Sequence, residues 1–292
     1  MAEGVIAWSV VGVGIAGRAR ARAIQKDARA RLVAVWRGRN AAELGVPVVG
    51  SLDEAIARAD AVAVCSPTAA HAEQVRAVLA AGRHAIVEFP LATTVVEGEA
   101  LFALARLQDR VLHVEHIELL DAPHRTLAAH VRGDMVRSVT LTFTRPGPAG
   151  ADAATLAGGN EARLHRLIGV AGPVASVDRV DLHPGSLDAE LTLVSGAPVR
   201  CSFRQAPSLP RHLRVEIHTV TEIWEQDGDV LLRNGANQTL LGPASLFVSD
   251  QRAATARILD GAPPYVSDER VLHVLDVVER LAEGRSGGIP PR

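Results

Sequence analysis

Val10-Val11-Gly12-Val13-Gly14-Ile15-Ala16-Gly17 is the stretch that decides the fold of this 292-residue chain. It ends an apolar run at 6–11 and opens a segment of helical period, the setting in which a GxGxxG pattern binds a dinucleotide. There Gly12 makes the tight turn, Gly14 lets a pyrophosphate approach the backbone, and Gly17 lets helix and strand pack closely. The free N–H groups and positive dipole end of the new helix then meet the phosphates. An ordinary glycine-rich turn can carry the same letters, and what separates the two is the pattern that follows.

That pattern alternates short β-branched runs with longer Ala/Leu/Arg stretches. Strands are expected at 6–11, 32–36, 61–65, 85–88 and 111–116, with helices between them, for example at 69–81 and 95–107. Repeated βαβ units imply a parallel sheet covered on both faces. After a linking helix near 119–131 the texture changes. Residues 139–144 and 199–204 alternate with period two, and Ser195-Gly196 and Asp227-Gly228 supply turn chemistry, which indicates an antiparallel sheet. A helix near 160–171 is expected on that sheet, and a second, capped by Ser267-Asp268, near the end. The fold class is therefore α/β: an N-terminal Rossmann domain at 1–120, then an α+β domain with a largely antiparallel open sheet at 121–292.

Composition narrows the chemistry. A hydrophobic fraction of 48%, a charged fraction of 22% and a formal net charge of −2 give no electrostatic reason to expect nucleic acid or a membrane as partner. Lys26 is the only lysine, so a mechanism that needs a catalytic lysine elsewhere is excluded. The start lacks the basic and apolar segments of a signal peptide, and a cytoplasmic location is expected. Cys65 and Cys201 stand in different contexts and read as reduced, buried thiols. His113 and His116 have no third ligand at metal spacing, so no metal is expected.

Dinucleotide choice is made where the second strand ends. NAD sites carry an Asp or Glu there, roughly 20 residues past the glycines. Here the strand runs into Trp36-Arg37-Gly38-Arg39-Asn40, with arginine and no carboxylate. Arg37 and Arg39 suit a ribose 2′-phosphate, so the expected cofactor is NADPH; the other reading is a solvated loop, with Trp36 or Arg37 stacked on adenine. Ser66 and Thr68, beyond the strand at 61–65, either cap the next helix or touch the cofactor, and His71 one turn later is a candidate for lining its cleft.

Together these elements resemble the glucose-fructose oxidoreductase (Gfo/Idh/MocA) family over nearly the whole chain. That family ends the corresponding strand in Glu-Lys-Pro and uses the lysine. This sequence has Glu88-Phe89-Pro90. The departure is similar to the biliverdin reductase family, which has Glu-Tyr-Pro there and a following strand much like Arg110-Val111-Leu112-His113-Val114-Glu115-His116-Ile117-Glu118.

The resemblance implies NADPH-dependent reduction of biliverdin to bilirubin, with hydride added at the central methine carbon and a proton at a pyrrole nitrogen. It implies Arg163 as the substrate-pocket arginine, acting on negative charge or on an ordered water because a guanidinium is a poor acid near neutrality. Glu88 and Phe89 shape the turn beside the nicotinamide, where a cis peptide before Pro90 is conceivable, and Glu115 and His116 follow where substrate and cofactor meet. Arg200 and Arg204 share one strand face and suit the propionates of a linear tetrapyrrole if that face borders the substrate; otherwise the face is solvated or joins a homodimer of an otherwise monomeric chain. Two other readings stay open: a related oxidoreductase of a sugar or imine with His165 as the acid, and a non-catalytic NADP sensor.

Overall fold

The computed structural model describes residues 4–38 and 41–290. In chain order its principal elements are β1 (Ile6–Val11), α1 (Ile15–Gln25), β2 (Ala30–Trp36), α2 (Leu52–Ala57), β3 (Ala61–Val64), α3 (His71–Ala80), β4 (His84–Val87), α4 (Val95–Leu107) and β5 (Leu112–Val114). There follow α5 (Ala122–His130), β6 (Val136–Arg145), α6 (Ala153–Gly158), α7 (Glu161–Ala171), β7 (Val174–His183), β8 (Ser186–Leu193), β9 (Pro198–Gln205), β10 (His212–Thr219), β11 (Ile223–Asp227), β12 (Val230–Arg233) and β13 (Ala236–Asn237). The chain closes with α8 (Leu246–Asp260), α9 (Asp268–Glu283) and β14 (Gly287–Gly288).

The first compact unit is Met1–Ile117 with Ala244–Val271. Its sheet is parallel, in the order β2-β1-β3-β4-β5. All four residues of β3 are buried, which fits a strand covered on both faces. Helix α4 has the expected bounds, and its first turn is fastened by Thr94, whose hydroxyl accepts from Glu97 N at 3.3 Å. The contiguous division at 120/121 misses one element, because α8 returns to this unit from far along the chain. Ala254 of α8 joins the cluster that holds Ile24, Thr255 donates to Asp27 at 2.7 Å, and Arg29 grips Asp260 through two hydrogen bonds.

The second unit is Glu118–Pro243 with Leu272–Arg292. Among the described residues its nine strands run in the order β13-β12-β11-β10-β6-β9-β8-β7-β14, and only the β6–β9 pairing is parallel. Alternation divides the sheet cleanly. Val139, Leu141 and Phe143 of β6 and Val199, Cys201 and Phe203 of β9 are buried, and they pack with Leu164, Leu167 and Ile168 of α7 and Val274, Val278 and Leu281 of α9. The other face carries Thr140, Thr142, Arg200, Ser202 and Arg204. Among the described residues no helix is long and apolar enough to cross a membrane.

Candidate functional site

In the first unit, a cavity of about 580 Å³ opens over the glycine turn, lined by Gly12, Gly14, Arg18, Arg37, Cys65 and Ser66 among others. The three glycines serve three purposes. Gly12 sits at φ +86°, and a Cβ there would lie 2.6 Å from Ser66 N; at Gly17 it would lie 2.1 Å from Gly12 O. At Gly14 an added Cβ would meet nothing within 4 Å, so the space above it is free for a ligand's phosphates. Gly14 is also the N-cap of α1 and lends it no side chain, which leaves the helix N–H groups for an anion. The residues therefore fit a dinucleotide.

Arg37 is exposed at the mouth of this cavity with φ +56°, its guanidinium 4.6 Å from the Trp36 ring centre. Gly38 behind it leaves room for Val13, whose Cβ would lie 2.6 Å from any Cβ placed there. Arg39 lies outside the described residues. Arg18 is a lining residue that sequence reading passed over; it pairs with Glu43 at 3.5 Å, and its only signal was its place just after Gly17.

Three expectations for the next loop need correction. Ser66 does not cap a helix; its hydroxyl bonds the side chain of Gln74, while the residue still lines the cavity. Thr68 begins a 3-10 turn with no side-chain cap and is outside the cavity lining. His71 is buried rather than lining the cleft: Nδ1 lies 2.6 Å from Pro90 O and Nε2 2.6 Å from Ser66 O. The ring ties the cavity loop to the Glu88-Phe89-Pro90 turn, whose last peptide is cis.

Beneath that turn lies a buried charge network. Arg20 of α1 is fully buried and reaches Asp250 of α8 at 2.6 Å and Glu88 at 3.3 Å. Burial works against its charge, but Asp250 and then Glu88 more than offset this and hold the guanidinium charged. Asp250 also accepts from Tyr265 at 2.5 Å and bonds His113 Nε2 at 2.9 Å; against its own burial, Arg20 and His113 hold it below the usual carboxylate range. Glu88 is thus half-buried at the edge of this network, with the Cys65 thiol 3.7 Å away.

Glu115 and His116, expected against substrate, are buried as well. Glu115 accepts from Ile117 N at 2.6 Å, and burial, followed by Glu88 and Asp250, pushes its carboxyl well up. Burial, then His113 and Arg270, brings His116 down to about 3, and its backbone N–H donates to the Tyr265 hydroxyl. Of the candidates from Glu88 to His116, Glu88 and Phe89 are half-buried, and Glu115 and His116 are fully buried.

In the second unit Arg163 projects from α7 over the Phe143 ring, 4.0 Å from its centre, and donates to Glu118 Oε1 at 2.6 Å. Arg211 donates to the same oxygen at 2.9 Å and lies 5.2 Å from the same ring. Arg166 is tied to Asp121, to Glu118 O at 2.9 Å and to Gln226 at 2.8 Å. Burial brings Arg163 down to about 10, against the pull of Glu118 and with the help of Arg211 and Arg166. His165 has no exposed surface and lies 3.6 Å from Glu161, which burial pushes up to about 8. A proton donor must present an atom to its ligand, and His165 presents none in this structure.

Arg200 and Arg204 do not join Arg163. Phe143 pairs with Phe203 on the helix-covered face, so Arg204, paired with Thr144, projects from the opposite one, where it grips Asp188 at 2.8 Å. Arg200 lies on that open face also, beside Asp188, Glu190 and Arg179 in a cavity of about 310 Å³. Period two placed the two arginines together correctly; only the helices show that their face is the one away from Arg163.

Residues 6–116 match the oxidoreductase family with an NAD-binding Rossmann fold. This part of the chain is a domain of that Gfo/Idh/MocA family, and the chain is an oxidoreductase that uses a nicotinamide dinucleotide. Over its whole length it resembles biliverdin reductases: it is 26% identical to biliverdin reductase A of Mus musculus, covering 93% of each chain. A Synechocystis biliverdin reductase, solved with biliverdin and NADP+, shares the fold with a TM-score of 0.84 at 23% identity, over 96% of this chain and 98% of that one. UDP-N-acetylglucosamine 3-dehydrogenase of Acidithiobacillus ferrooxidans does so with a TM-score of 0.83 at 19% identity, over 96% and 98%.

Proposed function

We propose that this chain reduces biliverdin to bilirubin with NADPH. The observation that carries the reading is the full-length likeness to biliverdin reductase A, where dehydrogenases of the family would require a lysine that Phe89 replaces. When bound, NADPH supplies the hydride that adds to the central methine carbon of the tetrapyrrole. The chain's own residues do the rest. Gly12, Gly14 and the start of α1 receive the pyrophosphate, and Arg37 pairs with the 2′-phosphate that distinguishes NADPH from NADH.

Arg163 holds the negative charge that develops on the reacting tetrapyrrole. It is pre-oriented for this by Glu118 and by the Phe143 ring, and it acts from a buried position where such an interaction is strong. Arg211, more exposed and sharing Glu118, suits a propionate, in place of the Arg200 and Arg204 pair on the far face.

The test mixes the protein with NADPH and biliverdin and follows loss of the bilin band and growth of a bilirubin band, with NADH alongside. Turnover that favours NADPH is expected. Intact NADPH binding without turnover would overturn the substrate assignment.

A further inference from the structure

The first unit brings four residues into one row at the carboxyl ends of its strands. Val11 pairs with Val64, Val64 with Val87 and Val87 with Val114, so the residues that follow, Gly12, Cys65, Glu88 and Glu115, continue the register side by side. The backbone confirms it: Cys65 N donates to Val11 O, Glu88 N to Val64 O and Glu115 N to Val87 O at 2.8 to 3.0 Å. Parallel neighbours lie about 4.8 Å apart, and their side chains share one face. The row starts at the cofactor glycine and ends in two neighbouring glutamates, at the strand ends where ligands of open α/β sheets bind.

These two carboxyls are not equivalent. Glu88 has the Arg20 guanidinium at 3.3 Å and keeps 12% of its side chain exposed. Glu115 is wholly buried, and its Oε2 has no hydrogen-bond partner among the described residues. The other groups bearing on the pair are Asp250, Cys65 and Tyr265. Arg20 is already committed to Asp250, which also holds His113 and Tyr265, so this single buried guanidinium is shared thinly among the carboxyl groups around it.

We propose that Glu88 and Glu115 share one proton, and that the pair is the proton store for the reduction, with Glu88 as its outlet to the ligand. The step rests on the biliverdin reading above. As the C–H bond forms at the methine carbon, a conjugated C=N bond opens and its electron pair settles on the pyrrole nitrogen. That nitrogen gains an N–H bond as the carboxyl O–H of the pair breaks, and the pair is reloaded from water. This supplies the proton that the absent lysine and tyrosine do not, and Arg163 is left to hold charge.

Glu115→Gln keeps the size of the side chain and an oxygen for Ile117 N. Three measurements compare it with the unaltered protein. The infrared spectrum of the ligand-free protein should lose one protonated-carboxyl C=O band in the variant; retention of every such band overturns the proposal. The Kd of NADP+ relative to NADPH should fall as pH rises, up to about tenfold per unit, because loss of the shared proton leaves a negative charge beside the positive nicotinamide; the variant should be flat. A flat ratio in the unaltered protein overturns it too. Finally, kcat with biliverdin should drop at least tenfold, with loss of its alkaline limb and an unchanged KM for NADPH; unchanged kcat and pH profile overturn the catalytic part. Should biliverdin itself not turn over, the substrate reading fails while the first two measurements still decide whether the pair holds a proton beside the cofactor.

Discussion

Arg163 Nη2 stands 2.6 Å from Glu118 Oε1 while its guanidinium covers the Phe143 ring at 4.0 Å, so the one arginine is fixed by a charge and by a π face together. Lysine would carry the charge but neither the planar fork nor the stacking. Arg163→Lys and Arg163→Ala should each lower kcat for biliverdin by about 100- to 1000-fold. The Kd for NADPH, measured by fluorescence, should stay unchanged, since the cofactor residues are in the other unit. A large loss of NADPH affinity would contradict the assigned role.

Glu118→Gln removes the anion that Arg163 and Arg211 share and leaves a buried guanidinium without its counter-charge. Stability should fall by about 1 to 3 kcal/mol in urea denaturation. Arg163 should titrate lower still, because Glu118 is the group that raises it.

The glycines of the cofactor turn separate folding from binding. Gly14→Ala adds a Cβ to open space, so its melting temperature should match the unaltered protein while NADPH binding weakens by at least tenfold. Gly17→Ala places its Cβ 2.1 Å from Gly12 O and should lose stability as well. Equal melting behaviour of the two variants would contradict the geometry. At the mouth of the cavity, Arg37→Ala should erode the preference for NADPH over NADH by about 10- to 150-fold, the range of a charge-assisted bond, read as the ratio of kcat/KM values.

Asp250 makes the stability depend on a segment distant in sequence. Asp250→Asn leaves the fully buried Arg20 with only the longer Glu88 pair as counter-charge, which should cost about 3 kcal/mol. The sign with pH follows from a carboxylate held low. Its contribution is complete above the unfolded pKa of about 4 and is lost as pH falls through the folded value.

Glu161 has the opposite sign. Its folded value near 8 lies above the unfolded 4.5, so the unfolded chain gives up a proton that the folded one keeps, and stability declines as pH rises between those values and levels off beyond. Glu161→Gln should flatten that part of the slope and raise the melting temperature at pH 8, as calorimetry would detect.

Much of this was legible from local order. The glycine turn, the bounds of α4, the helix behind Ser267-Asp268 and the change from parallel to largely antiparallel pairing follow from period, propensity and turn chemistry, all of which act over a few residues. Arg163 and Glu118 were named, but their pairing was not. The Arg18-Ala19-Arg20-Ala21-Arg22 alternation gave no sign that Arg20 would be fully buried between Asp250 and Glu88, nor did Arg211, behind Pro210, announce itself as a second partner of Glu118.

The sequence by itself determined the Rossmann unit, its glycine site and the class of cofactor, because those depend on residues within one βαβ stretch and on backbone freedom at Gly12. Tertiary structure alone decided which groups meet. It returned α8 to the first unit to supply Asp250, set Glu88 beside Glu115 through strand register, turned His71, His116 and His165 inward, and put Arg163 and Arg204 on opposite faces of one sheet. The physical reason is that burial and charge pairing arise between segments far apart in sequence, and a period-two pattern tells which residues share a face without telling what covers it.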